Sequence, residues 1–197
     1  GIYIDCYINW KTHLNEVSSR LYRANGMLCK IRHYVNFQTL KMIYFGIFSS
    51  ILMYGSQIWG QQNDVVKTFQ ILQNKAIRII NFQPPRTSAT PLFKTCGILK
   101  LTDDINLQNF LFAYDSLNNS LPSSLSGQMF LVDTNHNLRN ETYLQLNRPR
   151  SNTITYGSKS IKSKSVDIWN FINKLSFKDK LHEKSRVVCK NFVVKFL

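Results

Sequence analysis

Acidic residues are scarce: 11 Asp and Glu stand against 25 Lys and Arg in 197 residues, a net charge of +14. A surplus of that size favours an anionic partner, nucleic acid or an acidic membrane surface, and charge alone does not choose between them. Cysteine is sparse and dispersed. Cys6, Cys29, Cys96 and Cys189 form no CxxC pair, and His13, His33, His136 and His182 are equally scattered. Structural zinc sites draw on closely spaced ligand pairs, so no metal site is read; the cysteines read as small buried or half-buried residues of a reducing compartment. There is no Walker loop, no GxSxG elbow and no HExxH helix, so no catalytic residue and no cofactor is expected. No basic stretch leading into an apolar run opens the chain, and no Met begins it. The expectation is a piece of a longer protein without a secretion signal. Long apolar runs are missing as well. Residues 42–59 carry no charge, but Gly46, Ser49, Ser50, Gly55, Ser56 and Gln57 dilute the stretch. At 18 residues it sits at the lower edge of a membrane span, so a buried helix is expected instead.

What is present suffices for a core: 44% of residues are hydrophobic and 13% aromatic, which excludes a disordered tail. Ile2 to Ile4 reads as a short strand. Leu14, Val17, Leu21, Ala24, Leu28 and Ile31 recur every three or four residues, which predicts a helix over about 12–32 capped by Asn9 or Thr12. Asn36 is the cap expected for a second helix with the apolar face Leu40, Ile43, Tyr44, Ile47, Phe48, Ile51 and Leu52, weakening at Gly55 and ending by Gly60. Asp64 is the cap expected for a third helix over 65–81, burying Val65, Phe69, Leu72, Ala76, Ile79 and Ile80. Thr90-Pro91 opens a short helix that Gly97 stops. Thr102 is read as the cap of the next, with Asp103 and Asp104 set favourably against its dipole and Ile105, Leu111, Phe112, Tyr114 and Leu117 facing the core. The paired aspartates superficially resemble a polymerase metal box, but a helix start is the wrong context for one. Helices are also expected from Ser160, with Trp169, and from Ser185 to the C-terminus. Trp10, Trp59 and Trp169 read as core anchors, and His13 as structural.

The fold class is therefore mainly α. Residues 1–121 are expected to form a helical bundle with a short N-terminal strand, 122–153 a polar Asn/Ser-rich linker, and 154–197 a smaller basic helical region. Charge is uneven: the last third, 122–197, carries +8. On the third helix Lys67, Gln70, Asn74, Lys75 and Arg78 share one sector at about 100° per residue. Cations mixed with amides suit a phosphate backbone, although many solvated helix faces look the same. Arg20, Arg23 and Lys30 form a second basic set on the first helix. Arg148, Arg150, Lys159, Lys162 and Lys164 lie in a stretch with no acid between Glu141 and Asp167, with Tyr156 placed to stack on a base.

Several ordered segments resemble one family. Ile2-Tyr3-Ile4-Asp5 and Ile8-Asn9-Trp10-Lys11-Thr12-His13-Leu14 resemble the segment that follows the palm in LINE-type (non-LTR) retrotransposon reverse transcriptases, the Jockey-like group in particular. Tyr44 through Tyr54-Gly55 and Trp59-Gly60, then Leu72-Gln73-Asn74-Lys75-Ala76-Ile77-Arg78, continue the order. Pro91-Leu92-Phe93, Ile98-Leu99-Lys100-Leu101, Leu121-Pro122, Tyr156-Gly157, Trp169-Asn170 and the closing Phe192 to Leu197 complete it. Leu138-Arg139 and Phe171-Ile172 depart from the family's usual Thr-Arg and Leu-Pro. The resemblance implies the thumb and downstream region of an RNA-directed DNA polymerase whose catalytic aspartates lie upstream. It implies as partners nucleic acid (template RNA, RNA–DNA hybrid or target DNA) and the missing fingers and palm, and a nuclear or cytoplasmic ribonucleoprotein as the setting. No small-molecule substrate is expected. A membrane-associated basic helical protein and a degenerate, functionless retroelement remnant are the alternatives.

Overall fold

The structure, a computed structural model, describes residues 1–6, 9–125, 129, 145–175 and 185–196, with side chains excepted at 155, 156, 175, 192, 195 and 196. It is mainly helical, as the periodicity predicts. The expected strand at Ile2–Ile4 is absent: these residues have no regular structure. A lone strand gains nothing without a neighbour to bond to, and no strand forms among the described residues. The chain divides into two compact units, Gly1–Thr102 and Asp103–Leu197.

In the first unit, α1 (Lys11–Ile31) buries His13, Val17, Leu21, Ala24, Asn25 and Leu28. Thr12 lies inside the helix, and Trp10 takes the cap position in the left-handed region, at φ 61. Asn9 still serves the helix end, its Oδ1 accepting from the Lys11 N–H at 3.0 Å. Asn36 caps α2 (Phe37–Ile43) as expected, accepting from the Thr39 N–H at 2.8 Å. The helix then widens into a π-helical stretch, Tyr44–Ser49, and returns to α3 (Ser50–Met53). The spacing of its buried residues explains the widening. Leu40, Tyr44, Phe48 and Leu52 are buried at strict intervals of four. In a regular helix each such step drifts about 40° around the axis; wider turns take up that drift and hold all four on one line. Gly55 breaks the helix at φ 66, where an added Cβ would collide with the Ile2 side chain.

Two short helices, α4 (Ser56–Trp59) and α6 (Thr90–Cys96), flank the long α5 (Asn63–Ile80). Gln62 rather than Asp64 precedes α5, and Asp64 sits in its first turn, where the dipole favours a carboxylate. Thr90 is the first residue of α6, not its cap, and Gly97 ends it at φ 60. Trp10 and Trp59 are buried, and Trp59 meets Phe69 edge-on with ring centroids 4.9 Å apart. His13 is enclosed by Tyr3, Trp10 and Trp59.

α7 (Leu101–Leu117) begins one residue before Thr102, which lies in its first turn; these two residues close the first unit and the rest of the helix belongs to the second. Leu107, Phe110 and Ala113 are buried, while Phe112 is only half-buried. α8 (Ile161–Leu175) is capped by Ser160, whose Oγ accepts from the Ser163 N–H, and α9 spans Arg186–Phe196. Trp169 stacks on Phe110 at 5.1 Å, and Arg186 pairs with Asp115 at 2.9 Å. Within the expected linker, Leu146 is buried and exchanges two backbone hydrogen bonds with the Asn170 side chain. His136, His182, Leu138 and Arg139 lie outside the described residues.

Burial, then the N-terminal amine and Arg20, push the His13 pKa below its ordinary value of 6.5. The folded chain thus binds this proton less readily than the unfolded chain. Its stability contribution is present above pH 6.5 and is lost as pH falls through the lower folded value. His13→Phe should flatten this part of the stability–pH profile between neutrality and pH 5, as read by chemical denaturation. An unaltered profile would show that His13 is not the titrating group.

Candidate nucleic-acid interface

The α5 face expected to meet phosphate divides in two. Its amides make hydrogen bonds within the fold. Gln73 is buried; its Nε2 donates to the Tyr44 hydroxyl at 3.1 Å and to the Leu99 carbonyl at 3.0 Å. Its Oε1 accepts from the Leu101 N–H at 2.8 Å and from Gln70 Nε2 at 2.9 Å. Gln70 Oε1 also accepts from the Leu101 N–H, at 3.0 Å, and Gln70 Nε2 donates to Asn74 Oδ1 at 3.0 Å. Two glutamines of α5 therefore satisfy the first backbone N–H of α7. Gln73 is thus structural, whereas Gln70 and Asn74 are half-buried and line a smaller recess with Arg78.

Its cations remain outward. Lys67 and Lys75 are exposed, and Arg78 is half-buried with its Nε donating to the Thr87 carbonyl at 2.7 Å. Lys75 and Arg78 line an open groove of about 950 Å³ between α1 and α5, together with Arg32. Arg32 is not among the basic residues singled out from the sequence. It is the α1 cation that α5 faces. Arg20, Arg23 and Lys30 are exposed and do not line this groove. At about 100° per residue Arg20 lies on the far side of α1 from the groove-lining Tyr22, Gly26 and Cys29, while Arg23 and Lys30 flank that line on one side.

No acidic residue lines the groove. The first unit carries twelve Lys and Arg against three acids, Asp5, Glu16 and Asp64. All three stand at or before the N-terminal halves of α1 and α5, whereas the groove follows residues 22–32 and 71–85. The aromatic rings at the groove are topped by its cations: Arg32 lies 5.1 Å from the centre of Phe82, and Lys75 Nζ lies 5.7 Å from that of Tyr22. Arg78 also faces a smaller recess of about 350 Å³ shared with Lys100, Ser88 and Thr90.

In the second unit the cationic stretch is partly neutralised. Arg148 pairs with Asp167 at 3.1 Å, bringing back the acid that ends the stretch in sequence. Arg150 is exposed, and Lys162 and Lys164 are half-buried on α8. Lys159 closes a π-helical turn, Ile154–Ser158, that contains Tyr156; the Tyr156 side chain is outside the described atoms. Gly157 in that turn packs where a Cβ would strike Ser151. Asp103 and Asp104 occupy the first turn of α7. Burial raises the Asp104 pKa above its ordinary value, against the opposing pull of Lys190 and the Gln108 hydrogen bond. No cluster of three or more metal-ligating side chains occurs among the described residues. Among the same residues no helix is long and apolar enough to cross a membrane. Of the cysteines, Cys96 and Cys189 are buried, but Cys6 and Cys29 are exposed, contrary to expectation.

Comparison with protein-family models, with curated proteins and with solved structures finds no match to this chain.

The dual role of Gln73 yields a stability prediction. Gln73→Leu strands the Leu99 carbonyl and leaves the Leu101 N–H to Gln70 alone, at a cost of about 2 kcal/mol. Urea unfolding would read this directly. A loss below about 0.5 kcal/mol would mean the network is dispensable.

Proposed function

We propose that this chain is a non-catalytic nucleic-acid-binding region, corresponding to the thumb and downstream segment of a LINE-type reverse transcriptase, and that the α1–α5 pair grips template–primer or template RNA. The observation that carries this reading is the unopposed convergence of Arg32, Lys75 and Arg78 on one groove, with Lys67 further along the same helix. Phosphate contacts from such cations supply a grip that is independent of sequence and weakens steeply with salt. Arg148, Arg150, Lys162 and Lys164 are further cations of the second unit, partly answered because Asp167 pairs with Arg148. A polymerase's chemistry would come from the catalytic aspartates of the missing palm.

A second reading, attachment to an acidic membrane surface, rests on exposed apolar side chains. Met42, Phe45, Tyr54 and Ile58 are exposed along the second helix and its continuation. In the polymerase reading the same side chains are where fingers or palm would dock.

The test is charge reversal at cations that hold nothing else in place by a hydrogen bond. Lys67→Glu with Lys75→Glu should weaken RNA–DNA hybrid binding and lower the slope of log affinity against log salt by about 2. Arg78 is left intact, because it anchors the Thr87 carbonyl. An unchanged slope and affinity, with the variant folded by circular dichroism, would remove the α1–α5 face from the account.

A further inference from the structure

The groove between α1 and α5 has more in it than a phosphate grip requires. Its walls carry Tyr22 and Phe82, both exposed, each with a cation over its ring. Phe82 holds φ at 55, a left-handed conformation that a bulky side chain adopts only at a cost. It ends α5 with the Gln83 N–H returned to the Arg78 carbonyl at 2.9 Å, a position where Gly or Asn sits without strain.

Asn25, also lining the groove, holds its two walls together. It is 2% exposed, and its Nδ2 donates to the Leu72 carbonyl at 3.2 Å, tying α1 to α5 beneath the rings.

We infer that the groove is a seat for unpaired nucleotides, whose bases stack on Tyr22 and Phe82 while Arg32 and Lys75 take the adjoining phosphates. This rests on the nucleic-acid reading above and narrows it to single-stranded substrate. Two requirements converge on that occupant. The cations, unopposed by any acid, call for an anion. The two rings, each about half exposed, call for planar apolar groups, since stacking on aromatics is how proteins hold unpaired bases. A duplex hides its base faces. Ten residues of α1 separate Tyr22 from Arg32, on the order of 15 Å, enough for about four stacked nucleotides.

Cys29 supplies a reporter. It is exposed and lines the groove, whereas Cys6 is exposed and does not. The full chain would be titrated with an oligonucleotide of about ten nucleotides, with an abasic strand of equal phosphate count, with an RNA–DNA hybrid and with an acidic peptide. Affinity and the maleimide labelling rates of Cys29 and Cys6 would be followed together. The expected result is that the base-bearing strand binds at least about tenfold more tightly than the abasic strand and slows Cys29 labelling while leaving Cys6 unchanged. Tyr22→Leu and Phe82→Asn should each weaken the base-bearing strand by about five- to a hundredfold and leave the abasic strand alone. Both variants spare the fold, since Tyr22 is exposed and Asn tolerates the left-handed position. If both strands bind equally and Cys29 labels at its free rate, while hybrid binding keeps a steep salt slope, the stacking seat is wrong and the phosphate grip stands. If the peptide protects Cys29 and the strands do not, the groove belongs to a protein partner and the inference fails. If no nucleic acid binds even at low salt, both readings fall.

Discussion

The buried Gln73 side chain is the constraint on which the arrangement of the first unit turns. One amide meets four partners: the Tyr44 hydroxyl, the Leu99 carbonyl, the Leu101 N–H and Gln70. Its donors and acceptor are thus all occupied, the condition under which a buried polar group specifies geometry rather than merely costing stability. Through it α5 is registered against the π-helical stretch on one side and against the turn at residues 98–101 on the other. That register turns Leu72 toward α1 and leaves Lys67 and Lys75 outside. The polar residues of α5 thereby separate into an inner set of amides that hold the fold and an outer set of cations free to meet a partner.

The π-helical widening has the same logic one helix away. Leu40, Tyr44, Phe48 and Leu52 need a single line to reach the core, and a spacing of four cannot stay on one line in a regular helix. The widened stretch keeps them aligned and places Tyr44 where its hydroxyl reaches Gln73. Core packing and the amide network therefore depend on each other.

Much of this was legible in the residues. The apolar stripe of α1, the Asn36 cap, the breaks at Gly55 and Gly97 and the buried tryptophans follow from spacing and backbone chemistry. The structural role of Gln70, Gln73 and Asn74 was not, because periodicity assigns a polar residue on a helix to the solvent unless a partner is visible. The partners of Gln70 and Gln73 lie about thirty positions away, at Tyr44, Leu99 and Leu101, and Asn74 is held by Gln70. The same blindness applied to the helix start: Thr102 lies inside the first turn of α7, and the Leu101 N–H before it is met by glutamines remote in sequence. It applied to charge as well. Pattern alone grouped Arg20, Arg23 and Lys30 as a set, whereas only packing shows that Arg32 is the α1 cation turned toward Lys75 and Arg78. The Ile2–Ile4 segment has strand-forming residues but, among the described residues, no strand to pair with, so local preference had nothing to act on.

The central claim is that an unopposed cationic groove makes this chain a nucleic-acid-binding region. The most direct measurement is equilibrium binding of the unmodified chain to an RNA–DNA hybrid, to single-stranded RNA and to anionic liposomes across a salt series. The account predicts nucleic-acid affinity that falls steeply and linearly with log salt, and weaker liposome binding. Binding confined to liposomes and persisting at high salt would contradict it, and would move the exposed Met42, Phe45, Tyr54 and Ile58 to the centre of the protein's function.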